Sequence, residues 1–154
     1  MKTWFDYDPH NHISICTIQK NGDSFIGVTR VYPEDMDVAS VYIGCQFAEI
    51  KAAIQLHKHN YKEYKKELKV LTDLYNKITQ LKEYPENEHQ RVCQFIRKQI
   101  RMKEAQVAAE KEIVDTYQEN YPKVVENRIA KSRNLPEKLA ARARNREAIK
   151  KAGE

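Results

Sequence analysis

The chain reads as an α+β protein: a small N-terminal antiparallel β-hairpin or sheet, a long antiparallel helical hairpin, then short C-terminal helices. Three observations lead there. Two runs of alternating apolar residues flank Asn21-Gly22, a pair that accepts the positive φ of a tight hairpin turn. From Ile43 to Ile78, apolar and aromatic residues recur at alternating spacings of four and three without a slip. That is the stripe of one long helix with a narrow seam. Glycine (4) and proline (5) are scarce among 154 residues, which favours long regular elements over a loop-rich β protein. The length is that of a single domain, with 1–36 as the sheet, 37–121 as the helical hairpin and 122–154 as a basic helical tail.

Each element has its own signal. Trp4, Phe5 and Tyr7 predict an aromatic edge strand, and Asp8-Pro9-His10-Asn11 a turn. Along the next strand Ile13, Ile15 and Thr17 face one way and Ser14, Cys16 and Ile18 the other. The returning strand puts Phe25, Gly27, Thr29 and Val31 on one face, with Ile26, Val28 and Arg30 opposite. Gly27 inside a strand predicts close approach by another part of the chain. Pro33 ends the ladder because it has no N–H to donate.

Asp37 or Ser40 then serves as N-cap of the long helix. Its Gly44 costs about 1 kcal/mol relative to Ala unless something packs against it. The seam comprises Ile43, Phe47, Ile50, Ile54, His57, Tyr61, Tyr64, Leu68, Leu71, Tyr75 and Ile78. It requires a second helix or a partner chain to cover it, and the helix is expected to run to about Tyr84, with Pro85 as the stop. Asn87-x-x-Gln90 approximates a capping box for the second helix. That helix carries Val92, Ile96, Ile100, Val107, Val114 and Tyr117, with Phe95, Met102 and Ile113 widening the face and Lys103 and Glu110 interrupting it. Tyr121-Pro122 is expected to break it, leaving a short third helix around Val124–Ile129. A last one, Glu137–Ala152, would open on Pro136.

Charge is uneven. Residues 123–154 hold ten Lys/Arg against four Asp/Glu, so the basic character lies in the tail, which could contact nucleic acid, a nucleotide or an acidic protein. Cys16, Cys45 and Cys93 are isolated and form no Cys-x-x-Cys pair. No apolar run approaches the ~20 residues of a membrane span. Met1-Lys2-Thr3-Trp4 leads into polar sequence rather than a secretory signal. A reduced cytoplasm is the expected compartment.

Catalytic signatures are missing from the pattern. There is no nucleophile elbow, Cys/His signature, glycine-rich phosphate loop or Walker-type lysine. His10-x-His12 offers two metal ligands and no third at useful spacing. His57 lies in the apolar seam, where a hydrogen-bonded partner is expected. Arg97 and Arg101 sit four apart on one helix face. Like charges at that spacing repel weakly, and an anion held between two guanidinium forks reverses the sign. A solvated basic face is the competing reading.

One segment carries more. Ser24-Phe25-Ile26-Gly27-Val28-Thr29-Arg30-Val31-Tyr32-Pro33-Glu34-Asp35 is followed by Gly44, Ala48, Lys51 and Ala52 along the helix. From Asp23 to Ala53, about a fifth of the chain, it resembles small phage proteins of the anti-Thoeris sponge family, the first type described. The resemblance implies a small antiparallel sheet joined to long helices and a protein that is not an enzyme. It implies sequestration of cyclic ADP-ribose isomers, and in some members cyclic oligonucleotides, with no cofactor. It also implies a homo-oligomer, dimer or hexamer, with pockets near the subunit junction, acting in the infected bacterial cell. By position it implies ligand-binding roles for Lys51, where the family favours Arg, and for Arg97 and Arg101. Tyr84 would serve for base stacking and Asn87 for ribose contact. Tyr32 departs from the His of many relatives, and the chain after Tyr121 has no counterpart.

Two other readings stand beside it. One is a nucleic-acid-associated protein acting through 123–154, with Arg142, Arg144, Arg146, Lys150 and Lys151 as its patch. This is not favoured, because the tail has no aromatic for stacking after Tyr121. The other is a helical protein-binding inhibitor or scaffold.

Overall fold

The structure is a computed structural model and describes residues 1–81, 83, 85–137, 139–141, 143 and 144. The alternating runs form strands β1 (Lys2–Asp8), β2 (Ile13–Lys20) and β3 (Asp23–Arg30), an antiparallel sheet in that order. The aromatic start is indeed an edge strand. Asp8 organises the first turn. Its carboxylate accepts from the Asn11 side-chain amide at 2.7 Å and from the His10 and Asn11 backbone N–H groups at 2.9 and 3.3 Å. Those bonds, the Asn11 amide foremost, hold the Asp8 carboxyl below its ordinary value. At the second turn Asn21 and Gly22 both have positive φ, 54° and 90°, as a two-residue hairpin loop demands.

The sheet faces sort as the alternation requires. Ser14, Cys16, Ile18, Phe25 and Gly27 are buried on one side, while Trp4, Ile26 and Val28 on the other stay about half exposed. Burial raises the Cys16 thiol above its usual range, with Glu49 and Cys45 adding to the shift.

After Pro33 the backbone makes a 3-10 turn, Pro33–Val38, and then α1, Val41–Thr79. Asp37 lies within the 3-10 turn, so Ser40 is the residue at the α1 start, its carbonyl accepting the Gly44 N–H at 2.9 Å. The buried face of the sheet meets α1 through its small residues. A Cβ at Gly27 would fall on the Ala48 carbonyl oxygen and 2.5 Å from the Ala52 nitrogen. Ala48 and Ala52 are completely buried. A Cβ at Gly44 would meet the Ser14 hydroxyl, and the Thr29 hydroxyl donates to the Gly44 carbonyl at 2.8 Å. Gly44, Ala48 and Ala52, four apart, thus form one flat helix face, and the packing offsets the propensity cost of Gly44.

Three boundaries differ from the sequence expectation. α1 ends at Thr79 rather than Tyr84, and the His89 ring donates to the Ile78 carbonyl at 2.7 Å, satisfying one last-turn acceptor. Pro85 precedes α2, Glu86–Arg133, and its carbonyl accepts the His89 N–H at 3.0 Å. Asn87 therefore sits inside the first turn and does not cap it. Most notably, α2 runs through Pro122. Pro removes one hydrogen bond and crowds the carbonyl four residues back. Gln118 and Pro122 are both exposed, so water can take that carbonyl, while half-buried Tyr121, Val125 and Ile129 keep the apolar stripe in phase across it. Beyond Asn134, residues 135–137, 139–141, 143 and 144 are helical. The expected helix Glu137–Ala152 otherwise lies outside the described residues.

Two compact units result: Met1–Ala52 with the described residues from Glu119 onward, and Ala53–Gln118. In the second unit α1 and α2 run antiparallel, and the polar interruptions of the seam find each other. His57 donates to Glu110 at 2.6 Å and stacks on Tyr117, Asn60 donates to Glu110 at 3.2 Å, and Lys103 pairs with Glu67 over the Tyr64 ring. No helix of the described residues is long and apolar enough to cross a membrane.

The Gly27 contact is against backbone, which cannot swing away. Gly27→Ala should destabilise the fold by about 3 kcal/mol, the upper end of overpacking effects, read as a shift in the urea midpoint. Gly22→Ala, where nothing lies within 4 Å of the added methyl, carries only the strain of its positive φ and should cost less.

Candidate ligand-binding site

The resemblance implies ligand-binding roles for Lys51, Tyr84, Asn87, Arg97 and Arg101. Lys51, in the first unit, donates to the Val28 carbonyl at 2.9 Å and lies 5.8 Å from the Tyr121 ring centroid. Its charge braces α1 against β3. Arg97, in the second unit, donates through Nε to the Tyr75 hydroxyl at 2.6 Å, its guanidinium 5.3 Å from that ring. Arg101 and Asn87 are exposed on α2. Tyr84 lies outside the described residues, as do Arg142, Arg146, Lys150 and Lys151 of the basic patch.

A different set of cations surrounds a cleft in the first unit. It encloses about 710 Å³, and its lining includes Asp37, Ser40, Tyr42, Arg128, Lys131 and Arg133. That volume suits a drug- or nucleotide-sized ligand. None of the four described candidates from the sequence lines it.

The cleft follows from local structure. The 3-10 turn delivers the chain to the start of α1, and the end of α2 lies across that turn. Arg133 donates from Nη2 to the Asp35 carboxylate at 2.6 Å and to the Glu34 carbonyl at 2.9 Å. The first amides of α1 have no acceptor inside the helix and carry the positive end of its dipole. Arg128 is half-buried, and its Nε is fully buried without a hydrogen-bond partner among the described residues. Unsatisfied buried donors are rare and point to a missing acceptor. Lys131 is exposed and, like Arg128, pairs with no carboxylate among the described residues. With Arg133 neutralised by Asp35, Arg128 and Lys131 face one acid in the lining, Asp37. The balance favours a small anion, with a carboxylate beside it for a hydroxyl or amine.

Sequence reasoning passed over Arg128 for a physical reason. Ending the second helix at Tyr121 discards the register beyond it. Carried through Pro122, the half-buried stripe reaches Tyr121, Val125 and Arg128, and a cation on an apolar stripe is the signal. No family model, curated protein or solved structure matches this chain.

Tyr121 packs edge-on against Phe47 at 6.3 Å, and burial pushes its phenol above the usual value, with Tyr32 adding to the shift. An unfolded tyrosine titrates near about 10. The folded state therefore keeps the Tyr121 proton to higher pH, its contribution is whole below that value, and it is lost as pH rises through the folded pKa. Thermal unfolding should show an alkaline loss of stability that Tyr121→Phe diminishes.

Proposed function

We propose that this chain is a non-catalytic binding protein that captures a small phosphorylated ring and holds it unchanged. In that reading it is a phage counter-defence protein that sequesters a cyclic nucleotide immune signal of the cyclic ADP-ribose class. The observation that carries the reading is the cleft, in which Arg128 and Lys131 pair with no carboxylate, and Arg128 Nε with no acceptor, among the described residues. The resemblance over 23–53 supplies the ligand class. Phosphate oxygens would accept from Arg128 and Lys131 and from the first amides of α1. Asp37 would accept from ribose hydroxyls, and the exposed Tyr42 ring offers a face for a base. A sponge works by slow release, so the ligand must come back intact.

The test is capture and release. Purified protein is incubated with mixed cyclic ADP-ribose isomers and cyclic oligonucleotides, desalted, heated, and the supernatant analysed by mass spectrometry. One nucleotide should return unmodified. Arg128→Met with Lys131→Met should lower the retained amount at least tenfold, about 1.4 kcal/mol or more of binding. Arg97→Ala with Arg101→Ala should leave it within twofold. Retention of nothing by the wild-type chain sinks the reading, recovery of a cleaved product makes the protein a hydrolase, and loss on the Arg97/Arg101 pair alone moves the site to α2.

A further inference from the structure

A third cation lines the cleft, but its charge is already answered. Arg133 shares the wall with Arg128 and Lys131, and its side chain remains 46% exposed. Both of its hydrogen bonds among the described residues come from Nη2, at 2.6 Å to the Asp35 carboxylate and 2.9 Å to the Glu34 carbonyl. A guanidinium presents five N–H donors in one plane. The two bonds therefore orient the group, while Nε and Nη1 have no acceptor among the described residues. Asp35 is the more sheltered partner, 20% exposed, and lies behind the lining rather than in it. The pair thus keeps Arg133 facing the cleft as a donor and cancels what it would add as a charge.

That cancellation has a consequence for selectivity. The lining and its ion pair set three cations, Arg128, Lys131 and Arg133, against two carboxylates, Asp35 and Asp37, a net of +1. Without the Asp35 carboxylate the same wall would carry one charge more. An anion's gain from a rise in local potential scales with its own charge. Asp35 therefore matters least to a singly charged group and most to a polyphosphate. A bound anion finds two unanswered cations, and each further phosphate charge meets either the Asp37 carboxylate or a guanidinium that Asp35 has neutralised. Discrimination is a difference of affinities, and charge left unmatched supplies it as well as any attraction.

We propose that Asp35 is a specificity-determining residue of the cleft: by neutralising Arg133 it restricts capture to anions of low charge, such as a phosphate diester, and rejects triphosphates and polyphosphates. That role rests on the cleft being an anion site, as proposed above, and not on which nucleotide fills it. A capture protein needs such a filter wherever nucleoside triphosphates outnumber its target, since they would otherwise fill the cleft by mass action. A purely mechanical role, fastening the end of α2 to the 3-10 turn, would act on all anions alike.

The test is a nitrogen-15 NMR titration of the full chain with orthophosphate and, separately, with tripolyphosphate at constant ionic strength. The Arg128 Nε–H and the backbone amides of Arg128 and Lys131 report binding at the cleft wall, and the quantity read is the ratio of the two dissociation constants. Asp35→Asn should raise the preference for tripolyphosphate by about fivefold or more, and Arg133→Met should lower it by about as much. The double variant has the wild-type net charge and should return to within about twofold of the wild-type ratio. Should Arg133→Met disturb the backbone spectrum, Arg133→Gln, which keeps a donor, takes its place. A ratio that Asp35→Asn leaves unchanged makes the pair a fastener and overturns the proposal. So does a double variant no closer to wild type than either single one, or a wild type whose signals neither anion moves. Failure to retain any cyclic nucleotide while the ratio shifts as stated sinks the nucleotide reading and leaves the charge filter standing.

Discussion

Contact between the β3 backbone and one face of α1 governs the first unit. At Gly27 the strand has no side chain, and the Ala48 carbonyl occupies the space a Cβ would need. Backbone can approach that closely only where both surfaces are small. The helix accordingly offers Gly44, Ala48 and Ala52, and the strand side offers Gly27, with Ser14 and Thr29 meeting Gly44. The closeness fixes the position of α1 along β3, hence where the helix begins, hence where its unpaired amides lie. Lys51 and Tyr121 fasten the same joint from its far side. A bulkier pairing would hold the helix farther off, as ordinary side-chain packing does. The cleft at the start of α1 is a consequence of this joint, since one of its walls is the helix terminus that the joint positions.

The second unit solves a different problem. Its seam is long, narrow and only partly apolar, and Leu56, Ile96 and Val114 are the unit's buried large apolar side chains among the described residues. Register in such a pair is weakly specified by apolar contacts alone, because sliding by one heptad costs little. Polar seam residues remove that freedom. Glu110 binds both His57 and Asn60, and Lys103 binds Glu67 while resting on Tyr64. Slipping by a turn would strand Glu110 without a donor at a half-buried site, a cost of about 1–3 kcal/mol. The abundant tyrosines serve the same end, spanning the gap with a ring and finishing on a polar group, as Tyr75 does with Arg97.

The sheet and long helices were legible because their signals are local and periodic. Asn21-Gly22, the alternation of β2 and β3, and the Ile43–Ile78 stripe each need only neighbouring residues to be read. Gly27 was legible in kind, though not in partner. Pro122 misled because its local meaning, a helix break, was overridden by a stripe that continues on both sides of it. That one error hid Arg128. The resemblance gives Lys51 as a ligand cation, and resemblance with spacing gives Arg97 and Arg101, but neither can reveal that the Val28 carbonyl and the Tyr75 ring already engage two of the three. Whether a cation is committed to its own fold is a tertiary fact.

The distinction between committed and uncommitted cations also explains why a chain this basic need not be a nucleic-acid binder. Counterion-release binding works with any accessible positive charge and grows with their number. Recognition of one small anion instead demands few donors, held in place, with their alternatives removed. Lys51, Arg97, Lys103 and Arg133 each have an internal partner. Arg128 is half-buried, its Nε is buried with no acceptor among the described residues, and it shares a cleft wall with Lys131 and the start of α1. A donor that is both immobilised and unsatisfied has already lost its conformational entropy and its water. In the proposed reading, a phosphate oxygen reaching this guanidinium would gain a charge-assisted bond with part of those costs already met, which favours tight, slow-releasing capture over diffuse attraction.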